Sequence, residues 1–307
     1  MLHIHNLSDS NKLSESIITI GNYDGVHLGH KHILKTMTDM SKKTNCPTVL
    51  LTFIPHTSEV LFKKTTNLLT SFQSKKKLLE KTGLQYLCTI DFNHATSKMH
   101  ADQFMDILIE KYNPKTIFLG YDNKFGYKQS GSFDYLSQNK KYSNIDIIQC
   151  SQFKKNNISI KSSLIKELIL SGSVDSANTF LGYDYMISGK VVKGDQNGSK
   201  IGYPTANIQK NENKQLIPSN GVYSVNLIHN EIVYNAICNI GTKPTVSKKK
   251  QISIEVHLIG IDCIDLYNQI VSVEFKFKIR DEIRFESLRS LKKQISNDIK
   301  LLLEGEK

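Results

Sequence analysis

The sequence predicts two domains of different class. Residues 1–182 read as an α/β domain on a doubly wound parallel sheet, and residues 183–307 as an antiparallel β-barrel with a closing helix. Three observations carry this. Up to about Leu181, short β-rich runs alternate with segments whose apolar residues recur at helical spacing, the pattern of βαβ crossovers. Beyond it, stretches rich in Val, Ile and Tyr follow one another with Gly, Asn or Lys clusters between them, the pattern of a barrel. A chain of 307 residues, 39% of them apolar, is long enough to bury two cores.

Ser16–Ile20 reads as a strand that stops at Gly21, and the segment from Gly29 to about Lys43 as a helix with Ile33, Leu34 and Met37 on one face. Thr48–Phe53 is a β-rich run ended by Pro55, residues 74–81 are helical, and Tyr86–Ile90 is a strand. Ala101–Glu110 places Phe104, Ile107 and Leu108 at helical spacing, and Thr116–Leu119 and Ile145–Cys150 complete the strands of the first half. Parallel sheets bind ligands beyond the C-terminal ends of their strands, so the residues after Ile20 are the first place to look. In the second half the strands are 185–192, 221–228, 232–240, 252–259 and 270–279. The helix is Ser287–Leu303, with Leu288, Leu291, Ile295, Ile299 and Leu302 as one apolar stripe. No repeat or low-complexity linker interrupts the chain, so the boundary is the change of pattern near Leu181-Gly182-Tyr183.

Composition narrows the function classes. No apolar run approaches the ~20 residues of a membrane span, and Met1-Leu2-His3-Ile4-His5-Asn6 has neither the basic start nor the apolar stretch of a signal peptide. Cys46, Cys88, Cys150, Cys238 and Cys263 are scattered, which fits reduced thiols in the cytoplasm better than a disulfide framework or a zinc site. The net charge of +11 divides between the halves, with 22 basic and 15 acidic residues in 1–182 and 18 and 14 in 183–307. Only Arg280, Arg284 and Arg289 are arginines, so the guanidinium fork that reads guanine is missing from residues 1–279. No nucleic-acid partner is expected. The runs Lys75-Lys76-Lys77 and Lys248-Lys249-Lys250 read as solvated surface, and a basic enzyme with phosphorylated substrates explains the charge equally well.

Two segments carry chemistry. Gly21-Asn22-Tyr23-Asp24-Gly25-Val26-His27-Leu28-Gly29-His30 follows a strand and opens a helix. Its glycines allow a tight turn, and the helix start offers free backbone N–H groups to a phosphate. His27 and His30 then stand where they donate to a triphosphate as charge develops at its α-phosphate. The second segment runs from Gly194 through Gly198, Ser199, Lys200, Ile201 and Gly202 to Pro204-Thr205-Ala206-Asn207. Its glycines suit a phosphate-wrapping loop. The Thr205 hydroxyl and Asn207 amide oxygen, two residues apart, suit a hard cation and a transferring phosphoryl group.

The first segment resembles the G-N-F-D-G-V-H-x-G-H signature of bacterial bifunctional riboflavin kinase/FAD synthetases, which lies in the wider H-x-G-H nucleotidyltransferase superfamily with its Rossmann-like fold. Phe53-Ile54-Pro55-His56-Thr57 is similar to F-x-P-H-P, with Thr57 in place of proline. Gly120-Tyr121-Asp122-Asn123-Lys124-Phe125-Gly126 resembles G-x-D-F-R-F-G, and Ser162-Ser163-Leu164-Ile165-Lys166 resembles S-S/T-x-I-R. Lys124 and Lys166 keep the charge of the family's arginines and lose the fork. For Ser163 and Lys166 an ordinary helix cap and a solvent-facing lysine are the alternative. The second segment resembles the riboflavin kinase signature G-x-x-x-G-R-x-x-G-x-P-T-A-N, with Ser199 at the arginine position. Gly221-Val222-Tyr223, Asn239-Ile240-Gly241-Thr242-Lys243-Pro244-Thr245, Ile254-Glu255-Val256-His257-Leu258 and Asp265-Leu266-Tyr267 continue it.

The resemblance implies riboflavin phosphorylation to FMN by the second domain and FMN adenylylation to FAD by the first, with ATP as co-substrate and Mg²⁺ as the metal. It implies that Glu255 is the base toward the riboflavin 5′-hydroxyl, with Thr205 and Asn207 at the metal and His27 and His30 at the triphosphate. Gly21, Asn22, Asp24, Gly29, Ser162, Ser163 and Lys166 would hold the adenylyl-donor ATP, and Pro55, Asp122 and Phe125 the flavin beside it. In the kinase, Gly194, Gly198, Lys200, Gly202 and Thr205 would hold ATP and Arg280 the flavin, while His257, on the same strand face as Glu255, is read as structural. The implied partners are riboflavin, FMN, FAD and ATP, with no membrane, and the chain is expected to be a monomer or weak homo-oligomer. A chain with only the kinase active, or a nucleic-acid-binding regulator on this fold, are the alternatives.

Overall fold

The computed structural model describes residues 1–6, 12–63, 65–194, 197–211, 214–243, 251–261 and 264–305. Contacts divide the chain into two compact units, Met1–Ser162 and Ser163–Lys307.

The first unit carries β1 (Leu2–His5), β2 (Ser16–Ile20), α1 (Leu28–Thr44), β3 (Thr48–Ile54), α2 (Thr57–Phe62), α3 (Phe72–Glu80), β4 (Tyr86–Asp91), α4 (His94–Ser97), α5 (Ala101–Tyr112), β5 (Pro114–Leu119), α6 (Phe133–Gln138), β6 (Asp146–Gln149), β7 (Lys154–Lys155) and β8 (Ile158–Ser159). Six strands pair in the order β1-β4-β3-β2-β5-β6, all parallel. Every residue of β2 is buried because the sheet is covered on both faces. Ile18 and Ile20 pack with Phe104, Met105 and Leu108 of α5 on one side, and Ile17 packs with Leu34 and Met37 of α1 and Leu79 of α3 on the other. The strand period of two thus feeds two cores from one apolar run. The strand order reverses between β2 and β5, and ligands of open α/β sheets bind beyond the strand ends at such a switch point.

Strand β1 was not expected. It is a short edge strand, Leu2-His3-Ile4-His5, exposed at both ends and too polar to announce itself. The reading of Lys75-Lys76-Lys77 as solvated surface needs correction at Lys75, which is buried at 9% exposure. Residues on a helix turn by about 100° each, so α3 points three successive lysines in three directions and turns Lys75 inward beside Ser74 and Leu79. The run Lys248-Lys249-Lys250 lies outside the described residues.

The second unit contains α7 (Ser162–Ser171), α8 (Val174–Leu181), β9 (Tyr185–Val192), α9 (Asn197–Lys200), β10 (Ala206–Lys210), β11 (Gly221–His229), β12 (Ile232–Lys243), β13 (Gln251–Leu258), β14 (Ile270–Arg280) and α10 (Leu288–Gly305). Six antiparallel strands close in the order β10-β13-β12-β11-β14-β9. Alternate residues such as Tyr185, Ile187, Leu227, Cys238, Val256 and Phe275 fill the interior. On the outside, Ile295, Ile299 and Leu302 of α10 cover Val222 and Ile237. Strand β10 was not among the expected strands, since Ala-Asn-Ile-Gln-Lys sends only Ile208 fully inward. The helices α7 and α8 fall in this unit, ahead of the 182/183 change of sequence pattern. Asn178 of α8 donates to the Phe275 carbonyl at 2.7 Å and accepts from Tyr185 N at 2.7 Å. Cys46, Cys88, Cys150 and Cys238 are buried free thiols, and Cys263 lies outside the described residues.

Candidate active sites

In the first unit the loop from Gly21 to Val26 links the end of β2 to α1, and His27 is the N-cap. The His27 Nδ1 accepts from His30 N at 3.4 Å, which satisfies one of the orphan donors of the helix start. The two rings stack at 3.7 Å between centroids, with Tyr23 on the other side of His30 at 4.5 Å. A Cβ on Gly29 would stand 3.2 Å from the His27 ring, so a side chain there would press on the ring where it lies over the helix start. The Asp24 carboxylate accepts from Leu69 N at 2.9 Å and Thr70 N at 3.3 Å, bracing the loop from the other side.

Four separated motifs meet here. Asn22 Nδ2 donates to Thr57 Oγ1 at 3.0 Å, so the threonine at the family's proline position ties the F-I-P-H-T segment to the loop. Asn123 Nδ2 donates to the Ile20 carbonyl, joining the G-Y-D-N-K-F-G segment to the end of β2. The Ser162 hydroxyl donates to the Asp24 carbonyl at 3.1 Å. Lys75 Nζ donates to the Asn22 carbonyl at 3.0 Å and to Thr52 Oγ1 at 3.2 Å. Asn22 Oδ1 and His30 Nδ1 are buried with no hydrogen-bond partner among the described residues. Such atoms are costly unless a ligand completes them.

The electrostatics follow from burial. Desolvation pushes His27 down to about 4 against the opposing pull of Asp24. Burial, then the neighbouring His27 and Lys75, hold His30 well below the ordinary histidine range. Both rings are therefore neutral hydrogen-bonding groups at neutral pH. Burial likewise lowers Lys75 to about 8, with Asp24 opposing.

The other expected residues of this half are placed differently. Pro55 and Asp122 are exposed. Phe125 is 7% exposed and its ring lies 5.7 Å from that of Phe104 in the core beneath the sheet. On α7, Ser163 is exposed and Lys166 is half-buried.

In the barrel, one row of residues crosses five strands. Asn207 of β10 pairs with Glu255 of β13, Glu255 with Asn239 of β12, Asn239 with Val222 of β11, and Val222 with Arg280 of β14. Directly paired residues share a sheet face, and Ile254 and Val256 of β13 point inward, so this row lies on the outside. Two cavities open along it. One, of about 600 Å³, is lined by Gly194, Thr205, Asn207, Leu258, Asp265 and Tyr267 among others. The other, of about 260 Å³, is lined by Thr205, Glu255, Arg280, Phe285, Leu291 and Asp298 among others. Thr205 borders both.

The glycines of the 194–202 loop serve close packing here. A Cβ on Gly194 would stand 2.1 Å from Asn207 Nδ2, and one on Gly198 would stand 2.2 Å from the Tyr203 carbonyl. Gly202 adopts φ +85°. The side chain of Lys200 lies outside the described residues, as do Asp195 and Gln196. His257 Nδ1 lies 2.8 Å from the Pro204 carbonyl, and its ring meets Tyr203 edge-on at 5.1 Å, a bracing role for the P-T-A-N turn. Arg280, expected at the flavin, is also held by Asp298 of α10. Its Nε lies 3.0 Å and its Nη2 2.8 Å from Asp298 Oδ2.

Sequence reasoning missed Lys75, Asp298 and the hydrophobic wall of the larger cavity, including Val191, Leu258 and Ile264. Asp298 left a signal: it sits among Ile295, Ile299 and Leu302 on the apolar stripe of α10, where an acid needs a buried cation.

A parallel sheet with a phosphate loop at its switch point, joined in one chain to a closed barrel with two cavities meeting at a P-T-A-N threonine, defines a nucleotide-dependent transferase with two separate sites. The comparisons say which. The FAD synthetase family profile matches residues 9–164 and the riboflavin kinase profile residues 181–304. A bifunctional riboflavin kinase/FMN adenylyltransferase of Buchnera aphidicola subsp. Schizaphis graminum is 39% identical over 306 residues, covering 97% of this chain and 96% of the relative. The protein of the same description from Escherichia coli K12 is 34% identical over 298 residues, covering 96% and 94%. The chain belongs to the family of bifunctional riboflavin kinase/FMN adenylyltransferases. Among solved structures, one described as a macrolide-efflux protein from Streptococcus pneumoniae matches with a TM-score of 0.90 and 26% identity over 98% of each chain. No described helix of this chain is long and apolar enough to cross a membrane.

Proposed function

We propose that the two reactions of the family are divided between the two ends of the chain, adenylyl transfer in residues 1–182 and riboflavin phosphorylation in residues 183–307. What supports the reading most is the position of Thr205, Asn207 and Glu255 between two cavities. The larger cavity takes ATP and the smaller takes riboflavin. Glu255 accepts the proton of the 5′-hydroxyl as its oxygen attacks the γ-phosphorus, and ADP leaves. Thr205 and Asn207 supply oxygen donors to Mg²⁺. Among the described residues no cluster of three or more His, Cys, Asp or Glu could cage a metal alone. A sparse donor set fits magnesium, which keeps waters and phosphate oxygens as its other ligands.

In the first reaction site, the FMN phosphate oxygen attacks the α-phosphorus of ATP and pyrophosphate leaves. His27, His30, Asn22 and the backbone of Gly21 and Gly29 hold the triphosphate and stabilise the departing pyrophosphate through hydrogen bonds and the helix dipole, so no covalent enzyme intermediate is needed. Ser162, whose hydroxyl donates to the Asp24 carbonyl, adds a further phosphate contact, and Pro55 and Asp122 border the flavin. The substrates are then riboflavin, FMN and ATP, in a cytoplasmic monomer or weak homo-oligomer whose buried thiols stay reduced.

Incubation with riboflavin, ATP and Mg²⁺, followed by chromatographic resolution of riboflavin, FMN and FAD, tests the reading. Sequential appearance of FMN and FAD is expected. Accumulation of FMN alone would mark an impaired adenylyl site, and neither product would refute the assignment of both sites.

A further inference from the structure

The phosphate loop is built around a buried cation. Lys75 sits on α3 at 9% exposure. Its Nζ donates to the Asn22 carbonyl at 3.0 Å and to Thr52 Oγ1 at 3.2 Å, and the Thr52 hydroxyl donates to that same carbonyl at 3.2 Å. The Phe72 ring lies 5.9 Å from the ammonium. Taking an ammonium out of water is expensive, and the same face of α3 buries Leu79 completely. An aliphatic side chain would serve the core at least as well. A buried charge at a functional loop points to a use for the charge.

We infer that Lys75 is a positioning residue for adenylyl transfer, acting through the backbone of Asn22 and through the field it adds at the start of α1. The inference rests on the reading of this unit as the FMN adenylyltransferase. In a trans peptide the N–H points opposite to the C=O, so holding the Asn22 carbonyl also fixes where the Tyr23 N–H points. A carbonyl held by an ammonium cannot swing toward an incoming phosphate and repel it. The positive charge also adds to burial in keeping His30 unprotonated, so that its ring remains a neutral partner.

The test measures kcat/KM for ATP in FMN adenylylation from pH 7 to 9.5, with riboflavin phosphorylation by the same protein as the control for folding. The titratable groups coupled to Lys75 are Asp24 of the loop and His30 of α1, and the nearest others on this loop and helix are Tyr23, His27 and Lys31. Both histidines titrate below neutrality and Tyr23 is pushed upward by burial. Lys31 is itself lowered by burial and by Lys81. The parent should lose activity as pH rises through about 8, where Lys75 gives up its proton, because kcat/KM reports ionisations of the free enzyme. Lys75→Met should lower the pH 7 value by ~10²-fold, leave riboflavin phosphorylation at the parent rate, and abolish the alkaline limb. Lys75→Arg should retain part of the activity with the limb moved beyond pH 9.5.

An alkaline limb that persists in Lys75→Met belongs to another group and overturns the inference, as does adenylylation by Lys75→Met at the parent rate. If Lys75→Met does not fold, the parent's profile decides, and a flat profile to pH 9.5 overturns it. A parent that makes no FAD from FMN at any pH overturns instead the reading on which the inference rests.

Discussion

Asn207 on β10 is the direct cross-strand partner of Glu255 on β13, and the two line different cavities, Asn207 the larger and Glu255 the smaller. The pair therefore stands where the two cavities adjoin, beside Thr205, which lines both. Backbone pairing holds this relationship, so it survives changes at either side chain and lets each be tested alone.

Glu255→Gln keeps the size of the side chain and removes its basicity. Riboflavin phosphorylation should fall ~10²–10⁴-fold, the usual worth of a general base, while FAD formation from added FMN stays at the parent rate. Product chromatography separates the two. FMN formation at the parent rate would remove Glu255 from the mechanism.

Gly194→Ala tests the packing of the kinase loop. The added Cβ would stand 2.1 Å from Asn207 Nδ2, so loop or amide must move. Misplacement by about 1 Å commonly costs ~10²-fold in rate. The expected outcome is a loss of that order in kcat for riboflavin phosphorylation with an unchanged unfolding midpoint, since no strand is interrupted.

The two domains were legible because each strong pattern agreed with its tertiary context. The apolar run of β2 met cores on both faces, and the stripe of α10 met Val222 and Ile237. The elements that hid are those in which tertiary pairing outweighs local pattern. Strand β1 is half polar at a sheet edge, and β10 buries one side chain. Glu255 is named only through the family resemblance, whereas the motif residues His27, His30 and Asn207 could be singled out from spacing, because loop and helix-start geometry are local. Lys75 and Asp298 could not be recognised that way, since each takes its meaning from a partner far off in sequence, Asn22 and Arg280 respectively. A lysine triplet looks like surface until the helix phase is known.

Asp298→Ala should be strongly destabilising. The carboxylate is 1% exposed and accepts from Arg280 Nη2 at 2.8 Å and from Gln294 Nε2 at 2.8 Å. Removing one member of a buried pair leaves the other charge uncompensated, at a cost of about 3–5 kcal/mol. The urea midpoint of the barrel should fall accordingly. Riboflavin binding, read from flavin fluorescence quenching, should weaken with it because Arg280 and α10 wall the smaller cavity. An unchanged midpoint would mean that the guanidinium finds water instead.

Acid should unfold the first unit through its histidines. The folded pKa of His27, about 4, lies below the ordinary 6.5, so the unfolded chain takes up the proton first. The contribution is fully present above about pH 6.5 and is lost as pH falls toward 4, amounting to about 2 kcal/mol between pH 7 and pH 5. His30 adds in the same direction. His27→Gln should flatten the dependence of the urea midpoint on pH by that amount, and a variant as acid-sensitive as the parent would show that His27 is solvated in solution.

His30→Ala separates the ligand role of the histidine pair from a structural one. The ring lies between His27 and Tyr23, and its Nδ1 is buried with no partner among the described residues, a poor arrangement for stability alone. If that nitrogen is completed by the triphosphate, the substitution removes one preorganised contact to the developing charge. Loss of such a contact costs ~10²–10³-fold, or roughly 3–4 kcal/mol of transition-state stabilisation. FAD formation from FMN should fall by that factor while riboflavin phosphorylation, assigned above to the other unit, stays near normal. Loss of the unsatisfied buried nitrogen offsets part of the packing lost against His27 and Tyr23, so the fall in stability should be modest. A lowered melting temperature with equal loss of both activities would make His30 a core residue. Undiminished FAD synthesis would mean that the triphosphate is held by the backbone of the helix start without it.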